Sequence, residues 1–342
     1  MKYTLAILFT LLFADSDLAT NIFIEDLGID FVPLAGHTNG QMAGYKKSTD
    51  QAALRLSNGT LVDLGTLGGS TSRATVFSPD GSEVLGYADN TLGSQNSFRY
   101  NGTIASIFGE FFDSNQAIGM DGAGNIITHF PAAGSNFIVR WNQIDSSTEI
   151  LEDFAIATGV NSGSVFSGVD SQSENGFYHN GFTNFISPTS YNPSAGISDT
   201  GLTAGQLSSA LAAYYQIGDP LALVVPNIFT LGATSEATGV TDVDLVFGNV
   251  GSTVFSYDVV ADTITDLNSE TLTGAPVNTL DDIKGTVLDG SFFFGEYTVP
   301  GLPTTHYYKA TFSPVPEPST LMLLLTGAGI LARGWRRSWS CL

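Results

Sequence analysis

Short runs of alternating apolar and polar residues, separated by turn residues, fill most of the chain between residues 20 and 312. Alternation with a period of two is the pattern of a half-buried β-strand. One well-defined unit has a Pro79-Asp80-Gly81 turn after its first run and an Asn101-Gly102 hairpin signal after its third. Four strands joined by tight turns predict an antiparallel meander. The four runs are residues 73–78, 83–88, 96–100 and 103–108.

The same plan recurs about every 40 residues. Seven segments resemble x-G-x-V-x-G-x, and the spacings between their marker residues are 42, 42, 40, 37, 43 and 37. Four strands in about 40 residues is the size of a propeller blade. The pattern therefore predicts an all-β, seven-bladed β-propeller of four-stranded antiparallel blades. The markers are Gly44, Gly86, Thr128, Gly168, Gly205, Gly248 and Gly285.

The two ends of the repeat region complement each other. The seventh copy of the third-strand run, His306–Phe312, meets a Pro-rich linker and has no fourth strand after it. Asn21–Gly28 resembles the fourth-strand segment Thr60–Gly65. We therefore expect the N-terminal strand to complete the last blade and close the ring, which removes exposed sheet edges. An open β-solenoid would not need these end strands, and six or eight blades are alternatives if one unit is miscounted.

One unit carries a family resemblance. Asp63–Ala74, followed by Asp80–Tyr87, resembles a HAF-type extracellular repeat, which reads D-L-G-T-L-G-G-x-x-S-x-A and then N-x-x-G-x-V-x-G. The other units keep only the second half. The resemblance implies a secreted repeat protein and brings no established chemistry with it.

The N-terminus has the features of a secretory signal peptide. Lys2 precedes an apolar run, Tyr3–Phe13, and small residues at Ala14 and Ser16, or at Ala19, provide cleavage positions. Residues 1–19 are therefore predicted to form a signal helix, and residues 20–312 the propeller.

The C-terminus predicts a weak membrane anchor. A Pro-rich linker, residues 313–318, precedes residues 319–342, whose apolar stretch Leu321–Ala332 would span roughly 20 Å as a helix against about 30 Å of hydrocarbon. Basic residues follow this hydrophobic helix and would stay on the cytoplasmic side. The body would then face the exterior.

Val315–Thr320, the Leu-rich stretch and the basic cluster together resemble a PEP-CTERM sorting signal. The resemblance implies that exosortase recognises the tail and cleaves it near Pro-Glu-Pro, in a Gram-negative bacterium that makes exopolysaccharide. The protein would be exported, held transiently at the inner membrane, and then placed at the cell surface or outside the cell. Cys341 would lie in the part removed. The candidate sorting residues are Pro316, Glu317, Pro318, Arg333, Arg336 and Arg337.

The charge balance excludes some partners. The chain has 12 basic and 33 acidic residues, and removal of the predicted end segments leaves eight basic and 31 acidic ones. Nucleic acid and anionic membrane surfaces both need clustered Lys and Arg, so neither is expected as a partner. The lone cysteine also excludes an intrachain disulfide and a Cys-based zinc site.

Candidate chemistry is sparse. No His-Glu-x-x-His or Gly-x-Ser-x-Gly motif is present, and the histidines fall at different phases of the repeat, as loop or strand-edge residues would. Aspartate pairs 242/244 and 281/282 are candidate Ca²⁺ ligands without an EF-hand or nonapeptide pattern. Asp80 and Asp121 occupy equivalent turn positions beside a glycine, which favours turn chemistry. The histidines are His37, His129, His179 and His306.

Aromatic residues recur once per blade in the third strand, which favours packing between blades over a sugar-binding platform. They are Tyr100, Trp141, Tyr215, Tyr257 and Tyr308.

The main prediction is a non-enzymatic binding or structural propeller of the envelope or extracellular matrix, with no catalytic, cofactor or metal residues. Its expected partners are exosortase, the secretion machinery, and extracellular polysaccharide or envelope proteins. One alternative is a propeller glycosidase or lyase acting on polysaccharide, which needs carboxylates that converge at one mouth of the channel. Another is a Ca²⁺-dependent adhesion module.

Overall fold

The computed structural model describes residues 21–108, 115–132, 135–186, 191–207, 211–219, 221–225, 234–275, 277, 279–299, 301–302 and 304–313. The predicted signal helix and C-terminal hydrophobic helix lie outside the described residues. Within them, twenty-nine strands form seven sheets, six of four strands and one of five. The seven-bladed β-propeller is therefore confirmed.

In blades 1 to 6, strands that follow one another in sequence are hydrogen-bonded neighbours. Blade 1 contains β2 (Phe31–Gly36), β3 (Met42–Lys46), β4 (Gln51–Arg55) and β5 (Leu61–Gly65); blade 2 contains β6 (Gly68–Phe77), β7 (Val84–Asn90), β8 (Gln95–Tyr100) and β9 (Ile104–Ser106); blade 3 contains β10 (Gln116–Met120), β11 (Ile126–Ala132), β12 (Ser135–Trp141) and β13 (Thr148–Asp153).

The next three blades repeat this order. Blade 4 contains β14 (Ala155–Val160), β15 (Phe166–Asp170), β16 (Gly176–His179) and β17 (Thr183–Phe185); blade 5 contains β18 (Tyr191–Asn192), β19 (Leu202–Leu207), β20 (Leu211–Gln216) and β21 (Leu223–Val224); blade 6 contains β22 (Ser235–Val240), β23 (Leu245–Val250), β24 (Thr253–Asp258) and β25 (Thr263–Asp266).

Blade 7 closes the ring with the N-terminal strand. It contains β27 (Asp282–Thr286), β28 (Phe292–Thr298), β29 (Thr305–Ser313) and β1 (Asn21–Gly28). Strands β1 and β29 pair antiparallel from Asn21↔Ser313 onward, as the complementary ends predicted. A further strand, β26 (Thr271–Gly274), comes from the connection after blade 6 and pairs parallel with β1. The closing strand is therefore held on both edges.

A glycine in the second strand of the blade faces a bulge in the first strand. In blade 1 the register between β2 and β3 shifts between Pro33 and Ala35. The carbonyl oxygen of Val32 then approaches Gly44 so closely that a Cβ atom there would overlap it. Similar glycine–carbonyl approaches occur in five other blades, at Gly86, Gly168, Gly205, Gly248 and Gly295.

Several of these glycines also lie under an aromatic ring of the third strand. A Cβ atom at Gly168 would lie 2.7 Å from the ring of Phe177, and one at Gly248 would lie 2.7 Å from the ring of Phe255. Both rings are fully buried. Among the aromatics assigned to packing from the sequence, Tyr215, Tyr257 and Tyr308 are buried, whereas Tyr100 and Trp141 are half-buried. The repeat therefore encodes a glycine because two other groups occupy the space of its side chain.

The assignment of Gly285 as the marker of the seventh unit was wrong. This residue lies in β27, the first strand of blade 7, whereas Gly295 of β28 pairs with Ile283 and Tyr308 as the other markers pair with their neighbours. The sequence alignment matched a glycine one strand too early, because that inner strand carries its own glycine. In blade 3 the marker position holds Thr128, which is fully buried and whose hydroxyl donates to the carbonyl of Val139 at 3.3 Å.

Buried polar side chains join neighbouring blades. Ser72, at the start of the blade 2 sheet, accepts a hydrogen bond from the Ala52 amide of blade 1 at 2.7 Å. Asn115 accepts from the Ser97 amide, and Ser235 from the Ala212 amide, in the corresponding way. These contacts satisfy third-strand amides that would otherwise be buried without a partner.

We expect Gly248→Ala to lower the free energy of unfolding by about 1–3 kcal/mol, because the added methyl group must displace the Glu236 carbonyl and the Phe255 ring. Gly163→Ala is the matched control, since a Cβ there meets only the Asn161 side chain at 3.4 Å. Urea unfolding of both variants measures the difference. Equal losses would contradict the steric explanation.

The closing strand offers a second test on two adjacent residues. Ile24 is 1% exposed and Phe23 is 47% exposed. Ile24→Ala should lower the free energy of unfolding by about 2–5 kcal/mol, and Phe23→Ala should cost much less. If calorimetry showed the same loss for both, β1 would not be the buried fourth strand of blade 7.

Candidate functional site

The first strands of all seven blades surround a central cavity of about 430 Å³. The cavity opens where these strands turn into the second strands. We call this rim the channel mouth; it consists of the turns at residues 37–41, 78–83, 121–125, 161–165, 198–202, 241–245 and 287–291.

One turn design repeats around the channel mouth. In blade 3 the Asp121 amide donates to the Asn125 carbonyl, while Asp121 Oδ1 accepts from the amides of Ala123 and Asn125. The side-chain oxygens of Ser78, Asn161, Ser198 and Thr241 accept an amide four or five residues later in the same way.

The third residue after each of these positions has a positive φ, from 59° at Asp244 to 86° at Gly201. A polar residue followed three positions later by glycine, as at Ser78, Asp121 and Ser198, was thus a usable sequence signal that the repeat alignment missed. Blades 4 and 6 have Ser164 and Asp244 in place of the glycine.

The predicted equivalence of Asp80 and Asp121 was wrong by two positions, because Ser78 is the counterpart of Asp121. The interpretation of both aspartates as turn residues is confirmed. Asp80 Oδ1 accepts from the Ser82 amide at 3.0 Å and from the Ser78 hydroxyl at 2.7 Å. These bonds, the Ser82 amide first, lower the pKa of Asp80 to about 2.

Adjacent turns are joined by hydrogen bonds across four successive blades. The Ser162 amide donates to Asp199 Oδ1 at 2.7 Å, the Asp199 amide donates to Asp242 Oδ1 at 2.6 Å, and the Asp242 amide donates to the Leu288 carbonyl at 2.5 Å. Blades 4 to 7 are thereby linked in order around the channel mouth. The carboxylates of Asp199 and Asp242 each contribute one oxygen to this link.

Negative charge accumulates at the channel mouth. Asp199, Asp242 and Asp289 line the cavity together with His37 and Lys284. Burial raises the pKa of Asp242, and repulsion from Asp199, Asp289 and Asp244 adds to the effect. The Asp289 carboxylate accepts from the Ser291 amide at 2.8 Å, so it too is used within a turn.

The candidate Ca²⁺ pairs have other partners. Asp244 accepts from the Thr200 hydroxyl, Asp281 accepts from the Thr298 hydroxyl, and Asp282 pairs with Lys284. In the part of the chain that the structure describes, no three His, Cys, Asp or Glu side chains are placed to hold a metal ion.

The four histidines are distributed over four blades, and only His37 lies at the cavity, where Nε2 is 3.2 Å from the Pro79 carbonyl. His179 stacks on Phe166 at 4.7 Å between ring centroids, and burial lowers its pKa. His129 contacts Asn136, and His306 contacts Asp26 of the closing strand.

A smaller cavity of about 200 Å³ lies between blades 2 and 3. Thr128 and Val139 stand there at the positions where other blades pair a glycine with a phenylalanine ring. The missing ring leaves the space open between Phe108, Phe130, Phe137 and Ile150.

The eight basic side chains of the body all have local partners. Six of them pair with a carboxylate, and Lys47 and Lys309 lie over an aromatic ring. The pairs are Lys46–Asp63, Arg55–Glu25, Arg73–Asp50, Arg99–Glu83, Arg140–Glu149, Lys284–Asp282, Lys47–Tyr307 and Lys309–Phe292.

The sorting residues predicted from the sequence, at positions 316–318 and 333–337, lie outside the described residues. Residues 314–338 match the PEP-CTERM protein-sorting motif. The motif implies an exported protein that exosortase sorts in a C-terminal, membrane-anchored step. No helix among the described residues is long and apolar enough to cross a membrane.

Solved structures share the fold at low sequence identity. A catalytically inactive virginiamycin B lyase from Staphylococcus aureus with quinupristin is 12% identical, with a TM-score of 0.54 over 85% of this chain and 99% of that one. The β-propeller domain of the Trilobed protease from Pyrococcus furiosus, which has an open velcro topology, is 10% identical, with a TM-score of 0.54 over 86% and 97%.

A TolB from Acinetobacter baumannii is 18% identical with a TM-score of 0.40, and the match spans about half of each chain, 51% of this one and 48% of that one. No curated protein matches the sequence. The two likenesses with a TM-score of 0.54 show the propeller fold alone.

The opposite pKa shifts at the channel mouth predict opposite effects of two substitutions. Asp242 has a raised folded pKa, so it stabilises the fold fully only below the unfolded value of 3.8 and loses this contribution as the pH rises through its folded pKa. Asp242→Asn should therefore raise the Tm at pH 7, with a gain that shrinks towards pH 3.5.

Asp80→Asn is the matched control. The lowered pKa of Asp80 means that its contribution is complete above 3.8 and is lost as the pH falls through about 2. This variant should lower the Tm at pH 7. Thermal unfolding at the two pH values measures both effects, and a destabilising Asp242→Asn at pH 7 would contradict the assignment.

Proposed function

We propose that this exported, exosortase-sorted propeller is a non-enzymatic binding or structural module of the cell surface or extracellular matrix. The observation that carries the proposal is the use of the channel-mouth carboxylates. Asp199, Asp242 and Asp289 each accept a turn amide, so they serve to join and shape the turns. The HAF-type resemblance of residues 63–87 supports an extracellular site of action.

The charge distribution favours neutral or amine-bearing polysaccharides, or basic envelope proteins, as partners. A polyanionic chain needs unpaired Lys or Arg side chains, and the eight basic residues of the body are engaged by carboxylates and rings. An association with exopolysaccharide in a Gram-negative biofilm is consistent with the sorting motif at residues 314–338.

A polysaccharide-cleaving enzyme is the second candidate, because three carboxylates and His37 border one cavity. The two functions differ in a direct assay. The processed protein should co-sediment with an insoluble neutral or amine-bearing polysaccharide, and it should release neither reducing ends nor unsaturated uronates from neutral or uronic-acid substrates. Product release that is abolished by Asp242→Asn and retained by Asp80→Asn would establish the enzyme instead.

The sorting step is tested by replacing Pro316, Glu317 and Pro318 with alanine. The altered tail should not be cleaved, and the protein should stay in the membrane fraction of the producing cells. Ser313→Ala, in the same linker but outside the matched residues 314–338, is the control and should be processed normally. Immunoblotting of membrane and medium fractions measures the ratio, and equal release of both variants would refute the role of the motif.

A further inference from the structure

Both ends of the propeller lie at the same face as the channel mouth. Strand β1 starts at Asn21, which pairs with Ser313 at the end of β29. Strand β28 begins with Phe292, directly after the channel-mouth turn of blade 7, and Phe292 pairs with Thr311. The antiparallel register therefore places residues 311–313 at the end of blade 7 that borders the channel mouth.

The chain that joins this exit point to the membrane is short. Eight residue steps separate Ser313 from Leu321, the first residue of the apolar stretch. A fully extended chain of this length reaches at most about 28 Å. A compact body of roughly 290 residues has a radius of gyration of about 19 Å, hence a diameter of about 50 Å. The tether is thus shorter than the body that it holds.

We propose that the channel mouth faces the membrane while the precursor is anchored, and that cleavage of the tail near Pro-Glu-Pro exposes it. The opposite face, formed by the loops between second and third strands, points away from the bilayer while the precursor is anchored. A macromolecular partner then reaches the outer face before processing and the channel mouth only after it. This inference rests on the membrane-anchored sorting step and does not depend on whether the propeller is a binder or an enzyme.

The charge at the channel mouth is consistent with release after cleavage. Asp199, Asp242 and Asp289 border the cavity there. Anionic lipid headgroups repel such a surface, with a range of about 8–10 Å at physiological ionic strength. The covalent tether, rather than attraction to lipid, therefore holds this face near the membrane.

Two exposed residues of one blade provide a matched pair of reporters. Val243 lies in the channel-mouth turn of blade 6 and is 55% exposed, and Ser252 lies in the exposed hairpin between β23 and β24 at the opposite face. Each is replaced by cysteine in a full-length protein that also carries Cys341→Ser, which removes the only native thiol. A donor dye on the new cysteine and an acceptor-labelled lipid then report the distance to the bilayer.

In vesicles that carry the anchored full-length protein, energy transfer from Val243→Cys should be at least twofold more efficient than from Ser252→Cys. Insertion of a 20-residue Gly/Ser spacer between Ser313 and Pro314 should reduce this difference, because the longer linker no longer restricts orientation. Cleavage of the tail should abolish transfer from both positions. This combination of results would support the inference.

Equal transfer from both positions, or stronger transfer from Ser252→Cys, in protein that floats with the vesicles would overturn the orientation and leave the sorting step intact. Failure of the full-length protein to float with vesicles would overturn the anchored step, and the orientation with it. Persistence of the twofold difference with the spacer present would show that direct lipid contact, and not the tether, sets the orientation, which also overturns the inference.

Discussion

The close approach between a first-strand carbonyl and a second-strand glycine is the constraint on which the blade depends. The bulge that turns the Val32 carbonyl towards Gly44 leaves no space for a side chain, and five other blades repeat the approach. A bulge also bends and twists its strand, so the same feature shapes the inner strand where it borders the channel. The third-strand rings of Phe177 and Phe255 then fill the volume above the glycine. Backbone geometry, residue choice and core packing are therefore coupled in the blades that carry this glycine.

The bulged strands lead directly into the turns of the channel mouth. In these turns most polar side chains form hydrogen bonds with backbone amides. In five of the seven turns, a polar residue at the start accepts the amide of a residue four or five positions later, as Asp121 does within blade 3. Asp199 and Asp242 extend the same function to the neighbouring turn. Each of these two carboxylates uses one oxygen to accept a turn amide, and this structural use is the basis of the non-enzymatic proposal.

Two strands, β1 and β26, complete the sheet of blade 7 where the ring closes. A propeller whose last blade lacks its fourth strand exposes a sheet edge, and the pairing of β1 with β29 removes it. Strand β26 covers the remaining edge of β1. Closure brings Asn21 and Ser313 together, so the two ends of the described propeller lie side by side in blade 7.

The sequence alone determined the features that depend on local pattern. Period-two alternation, Asn-Gly turns and glycine spacing sufficed to predict the fold class, the seven blades and the closure by Asn21–Gly28. Each of these signals lies within a few adjacent residues, and each recurs along the chain. The same information failed at Gly285 and at the supposed equivalence of Asp80 with Asp121, since an alignment cannot tell one strand's glycine or turn position from its neighbour's.

Tertiary structure alone decided what residues far apart in sequence do together. Asp199, Asp242, Asp289 and His37 border one cavity because seven separate strands converge around an axis, and no spacing rule within a unit encodes that convergence. It also decided that Asp199 and Asp242 accept amides from adjacent blades, and that Asn21 and Ser313, the ends of the described propeller, lie at the channel mouth. These are properties of hydrogen bonds and strand directions between blades, which exist only once the ring has closed.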